Sequence, residues 1–381
     1  MKPLEGLLVL EFAQFMAAPT AGLKLADLGA RVIKVERPVK GEAGRQIAIK
    51  NLFVDGSSLV FHTINRNKES YAADLKNPED IRLLKQLIAK ADVMTHNFRP
   101  GVMDKIGLDY DSVKEVNDKI IYGVVTGYGN EGPWANKPGQ DLLVQSLSGL
   151  TQLSGTKSDN PVAFGLSVAD MMCGHHLTQG ILAALIKRSK TQKGALVEVN
   201  LLESTLDVQF EVITSYLNDG NKLPVRGSER GTAHAYLSAP YGIYKTEDRY
   251  LALAMGNLLQ IGTVLNLDLS KYQNKETWFT HKDEITLILA NRIKEETSAY
   301  WTNLLNNEGI WCSDVLNYQE FLNSEAYKVL QFDQELDLPN GDILKGTRSP
   351  IRIDNQRLFS RKAAPRTGAD TDTILKEFNL I

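Results

Sequence analysis

Apolar positions in the first third of the chain fall into short runs separated by stretches of helical spacing. Leu7 to Phe12 is an apolar run of strand length, Ala17 to Leu28 has helical periodicity and stops at Gly29, and Arg31 to Val35 is strand-like again. Together they predict a βαβ unit. The alternation continues with a strand at Ser70 to Ala73, a helix at Pro78 to Ala91, and strands at Asp92 to His96 and Lys119 to Thr126. Strands alternating with helices imply a parallel sheet covered on both faces, with ligands bound beyond the carboxyl ends of the strands. The loops after Phe12, Val35, His96 and Thr126 are therefore expected to form a site.

Further along, the pattern predicts a long helix from Val168 to Lys187, a strand at Leu196 to Val199 and a second long helix from Leu202 to Asn218. The stretch DGNKLPVRGSERGTAH, residues 219–234, has the Gly, Pro and charge content of a linker. After it, Tyr236 to Tyr244 and Tyr250 to Met255 read as a hairpin, followed by helices near Lys275 to Glu296 and Ser298 to Asn307. Beyond Leu330 come short strands and a final helix, Asp370 to Phe378, expected to rejoin the first domain. The predicted organisation is a large Rossmann-like α/β domain, residues 1–218 plus 331–381, and a smaller α+β domain, residues 235–322. Segments 219–234 and 323–334 link them.

Composition narrows the function classes. The formal net charge of −3 over 381 residues gives no basic field for a nucleic-acid backbone or an anionic membrane, so neither is an expected partner. Cys173 and Cys312 match no metal-ligand spacing, and no metal site is expected. The N-terminal Met-Lys-Pro-Leu-Glu-Gly lacks the form of a signal peptide, and no apolar run reaches membrane-spanning length. A cytoplasmic protein with reduced thiols is the expectation.

A dinucleotide fold needs a glycine-rich first turn so that the backbone can approach a pyrophosphate. Here that turn reads Ala13-Gln14-Phe15-Met16-Ala17-Ala18-Pro19, without glycine, so a phosphorylated adenine compound would have to be held by side chains. Lys34, Arg37, Lys76, Arg99 and Lys105 stand near predicted strand ends, although each taken singly reads as a solvated charge.

Four longer strings carry a family resemblance. GLLVLEFAQFMAAPTAGLKLADLGARVIKVERP, ADVMTHNFRPGVMDKIGLDYDSV from Ala91, GYGNEGPWANKPGQDLLVQSLSGL and ILAALIKRSKTQKGALVEVNLLES occur in that order over roughly residues 4–205. They resemble segments of the family III CoA-transferases, the formyl-CoA transferase and carnitine CoA-transferase group. The resemblance implies an α/β fold with a smaller α+β domain, in an interlocked homodimer. It also implies transfer of CoA from an acyl-CoA thioester of succinyl-CoA or acetyl-CoA type to a small free carboxylic acid. Coenzyme A enters as substrate, and no cofactor is bound permanently.

Residue by residue, the resemblance makes Asp170, in SVADMMCGHH, the nucleophile that passes through an anhydride and an aspartyl-CoA thioester. An Asp at a helix start is also a common cap, and the positive helix terminus is expected to favour its ionised form. Arg37, Lys76, Asn97 and Lys105 fall on CoA-contacting positions, with Phe15, Met16 and Arg99 in the same pocket. Gly256, beside Asn257, stands where relatives carry a loop over the aspartate, and Gln140 joins the catalytic set. Gln140, Arg45 and His234 are candidates for meeting a second carboxylate. The family's racemase branch has Gly-His-Asp where this chain has Gly139-Gln140-Asp141, and an amide is no α-proton base. Transfer is thus favoured over 2-methylacyl-CoA racemisation, and the intact Asp170 segment argues against non-catalytic CoA binding. His175 and His176 read as packing or surface residues.

Overall fold

The computed structural model describes residues 2–228 and 231–380. Glu229 and Arg230, inside the segment read as a linker, lie outside the described residues. The chain divides into two compact units: Met1–Val144 with Ser167–Val208 and Leu330–Ile381, and Gln145–Leu166 with Gln209–Val329.

The first unit is built on six parallel strands: β1 Leu8–Glu11, β2 Arg31–Glu36, β3 Glu69–Ala72, β4 Val93–His96, β5 Ile121–Thr126 and β6 Ala195–Asn200. Their spatial order is β3-β2-β1-β4-β5-β6. The first three strands step outward in one direction and the next three in the other. Between β1 and β4 the order reverses, and crossovers that diverge there leave a crevice at the strands' carboxyl ends.

Alternation along β1 shows why the sheet is covered twice. Leu8, Leu10 and Phe12 enter one core with Leu83, Leu84, Leu87 and Ile88 of helix α2, Pro78–Ile88. Val9 and Ala13 enter the other, with helix α1, Ala17–Asp27, and the helix Val168–Thr191. The unpaired edge of β3 is covered by the end of the chain. The Asp370 carboxylate accepts the Ser70 N–H (2.8 Å), and the Thr371 hydroxyl accepts that of Ala72 (2.9 Å). Ile374 of the helix Thr371–Glu377 is buried in the α2-side core.

In the second unit, Cys312–Asp314, Tyr250–Leu253 and Gly242–Lys245 form an antiparallel sheet in that order. It packs with helices Leu258–Val264, Lys282–Ile293 and Ser298–Asn307 around buried Trp301, Leu251 and Ile285. The expected helix from Leu202 to Asn218 is two helices, Leu201–Val208 and Phe210–Asn218, interrupted at Gln209. The first arm of the expected hairpin is short, because Tyr236 to Tyr241 is turn and loop and strand pairing begins at Gly242. Among the described residues, no helix is long and apolar enough to cross a membrane.

Candidate active site

The crevice at the β1/β4 reversal opens into a cavity of about 770 Å³ within the first unit. All four loops expected to form the site line it: Gln14 to Met16 after β1, Glu42 to Ile47 after β2, Asn97 to Pro100 after β4, and Thr126 and Gly127 after β5. The segment 135–142 closes one side, and Ser167 and Asp170 come from the start of the long helix Val168–Thr191.

Close packing brings that helix to the cavity. At Gly174 a Cβ would lie 2.6 Å from the Ala17 carbonyl oxygen and 2.8 Å from Thr20 Cβ, so any larger residue would push the helix away from α1. Asp170, one turn earlier, is thereby set beside the turn that precedes Ala17. Ser167, the N-cap residue, makes no capping bond with its own side chain. Asp141 supplies the cap instead: its Oδ1 accepts the N–H of Ala169 at 2.7 Å and that of Asp170 at 3.2 Å.

This arrangement corrects the expected charge state of Asp170. Burial, reinforced by the neighbouring Asp141 carboxylate, pushes its carboxyl up to about 7, and the helix terminus does not reverse this. The positive end of the helix is already facing Asp141. Among the described residues Asp170 has no ion-pair partner.

The turn after β1 is clamped by side chains in place of glycine. The Asn97 amide accepts the Gln14 N–H (2.8 Å) and donates to the Gln14 carbonyl (2.7 Å). Phe15, with φ of 64°, is left-handed and half exposed, and Met16 stands at the N-cap position of α1 without a side-chain capping bond. Beneath them lies a buried ionic layer that the hydropathy pattern does not show. Lys34, expected near the surface, is fully buried and donates to Glu11 Oε1 (3.1 Å) and the Ala13 carbonyl (2.7 Å). Lys68 donates to both Glu11 oxygens, at 2.9 and 2.8 Å.

Of the expected site residues, Phe15, Met16, Asn97, Arg99, Gln140 and Asp170 share the cavity wall. Arg37, Lys76 and Lys105 are exposed and do not line it. Gly256 belongs to the second unit, exposed just before the helix Leu258–Val264. Arg45 is not free to meet a substrate: it is buried, forks onto Glu36 (2.6 and 2.8 Å) and lies 3.8 Å above the Phe61 ring. His234, in the second unit, lies 3.7 Å from Glu211. His175 donates to its own helix at the Met171 carbonyl (2.6 Å), and His176 bridges Ser204 (3.0 Å) and Asp207 (3.1 Å), so both remain outside the cavity. Glu42, the burial and pairing of Lys34 and the capping role of Asp141 were not anticipated, since each depends on a partner distant in sequence.

Residues 4–371 match the family model described as CoA-transferase family III. The chain belongs to that family. The transferase is 33% identical to the succinyl-CoA:glutarate CoA-transferase of Mus musculus, over 99% of this chain and 86% of that protein. It is 32% identical to the succinate–glutarate CoA-transferase of Agrobacterium fabrum, over 100% and 96% of the two chains. Among solved structures, a CAIB/BAIF family protein from Brucella suis superposes with a TM-score of 0.84 at 32% identity, covering 99% of each chain. The fold, the family and the reaction type therefore coincide over the whole length of the transferase.

Proposed function

We propose that this transferase moves CoA from a succinyl-CoA type donor to a small free carboxylic acid, with a C4 to C5 dicarboxylate as the favoured acceptor, through covalent intermediates on Asp170. The observation that carries the reading is a carboxyl group with no ion-pair partner among the described residues, in the wall of a cavity at the strands' carboxyl ends. The acceptor class rests on the relatives named for succinyl-CoA and glutarate.

In the proposed sequence, an ionised Asp170 oxygen attacks the thioester carbonyl carbon and the C–S bond breaks. CoA thiolate leaves and a mixed anhydride forms. The thiolate then attacks the aspartyl carbonyl carbon, expelling the donor acid and leaving an aspartyl-CoA thioester. The acceptor carboxylate attacks that carbon and displaces the thiolate, which returns to the acceptor's acyl carbon and frees Asp170. One thioester is exchanged for another, so no nucleoside triphosphate is needed. Gln140, on the same wall, offers an amide N–H for the carbonyl oxygen as it gains charge. Arg99 and Lys137 supply cationic groups for an acceptor's distal carboxylate or for CoA phosphate.

Incubating the purified protein with succinyl-CoA and a panel of C2 to C6 mono- and dicarboxylic acids should give new CoA esters, strongest with the dicarboxylates, by mass spectrometry. Hydroxylamine added during turnover should leave a hydroxamate at Asp170 and nowhere else. Absence of any new ester removes the transfer reading, and a label elsewhere removes the assigned nucleophile.

A further inference from the structure

The turn between β1 and α1 is an energetic anomaly. An aromatic residue in the left-handed region is unfavourable because its Cβ crowds the backbone, and in such a position glycine is the usual solution. Phe15 nevertheless adopts φ of 64° on the cavity wall. Strained conformations of this kind persist only where surrounding groups over-determine them, and they concentrate at functional sites.

Three groups do so here. Lys34 holds the Ala13 carbonyl at 2.7 Å, and Asn97 holds both backbone groups of Gln14. Glu42 holds the strained residue itself: its Oε2 accepts the Phe15 N–H at 3.0 Å and the Gly44 N–H at 2.7 Å. Glu42 is 4% exposed, and its own N–H donates to Glu36 at 3.0 Å. Its other oxygen, Oε1, lies 3.6 Å from Lys34 Nζ with no hydrogen-bond partner in the described residues. A buried carboxylate oxygen left in that state is unfavourable, so the placement is not explained by the stability of Glu42 alone.

The geometry points to Glu42 as a positioning residue for the transfer reaction: its carboxylate holds Phe15 in the left-handed turn and so sets the Phe15–Met16 wall of the cavity that Asp170 also lines. The inference rests on the transfer reading above. Glu42 touches no reacting atom in this scheme. It acts through the backbone of Phe15, replacing the glycine that comparable folds use at this turn.

A double-mutant cycle in the full-length protein tests it. Glu42→Ala in the native background should lower kcat about tenfold or more, with KM for succinyl-CoA within about threefold, because the wall is displaced while most of the donor's binding surface is untouched. In a Phe15→Gly background, where the left-handed turn needs no clamp, the same change should lower kcat less than about threefold. Equal losses in the two backgrounds overturn the proposal. If Glu42→Ala does not give folded protein, Glu42→Asp runs through the same cycle, since it keeps a charge opposite Lys34 but withdraws the acceptor by one methylene. Amide hydrogen exchange at Phe15, measured without substrate, should be faster in the Glu42 variants than in the native protein, and unchanged exchange overturns the clamp. Lack of any transfer by the native protein would remove the reaction reading while leaving the exchange arm decisive for the turn.

Discussion

Two carboxylate neighbourhoods at the carboxyl ends of the strands are built on opposite terms. Under the β1 turn, burial works against every charge, but cations answer it: Glu11 is paired with Lys34 and Lys68, and Glu36 takes both arms of the Arg45 fork. Burial would raise Glu36, yet the Arg45 hydrogen bonds and Lys34 hold its carboxyl below the ordinary range. Burial likewise opposes the charge on Lys34, but Glu11, Glu42 and Glu36 hold it above an ordinary lysine. At the head of the helix Val168–Thr191, by contrast, burial is reinforced by another acid, Asp141, and the Asp170 carboxyl rises to about 7. A fully paired carboxylate is a rigid support, whereas one left beside another acid retains unspent nucleophilicity.

The contrast is broken most severely by removing either member. Asp170→Ala should lower CoA transfer by at least about a thousandfold with the fold intact, as measured by ester formation and circular dichroism. Lys68→Ala, which strips fully buried Glu11 of one of its two cations, should cost about 3–5 kcal/mol in denaturant unfolding. A loss under about 1 kcal/mol would mean that the layer is not a support.

Asp170→Asn should instead stabilise the protein above neutrality. A carboxyl raised to about 7 binds its proton more tightly folded than unfolded, so its contribution is fully present below about pH 4 and is lost as pH rises through 7. The amide avoids that loss. The expected gain at pH 8 is about 1–3 kcal/mol, since Asp170 is partly open to the cavity, and it should vanish near pH 4. The smallest effect sharpens the comparison: kcat/KM should rise with pH through about 7 as Asp170 ionises, and Asp141→Asn should move that limb to lower pH. A limb that stays in place would remove Asp141 as a cause.

Much of this was legible in the chain. The strand Arg31 to Val35 was placed to within one residue, the helix Ser298 to Asn307 matches its observed span, and the four loops expected around the site all reach it. Local periodicity and turn chemistry carry that information. The ionic layer was not legible, because Lys34 in VIKVE has the pattern of a strand residue facing water and its partner Glu11 is a neighbour only through sheet register. Arg45 looked available for the same reason: nothing local announces Glu36 and Phe61 as its partners. The state of Asp170 was misjudged because helix polarity is a local inference, whereas burial and Asp141 are tertiary.

Two glycines fix where one wall of the cavity begins. A Cβ on Gly127 would sit 2.7 Å from Gly139 Cα, and one on Gly139 would sit 2.5 Å from Gly127 Cα, so the intervening loop is pinched shut at its base. The loop between the two glycines therefore enters and leaves at one fixed point, and a bulkier residue at either glycine would push Gln140 and Asp141 off the cavity wall they share.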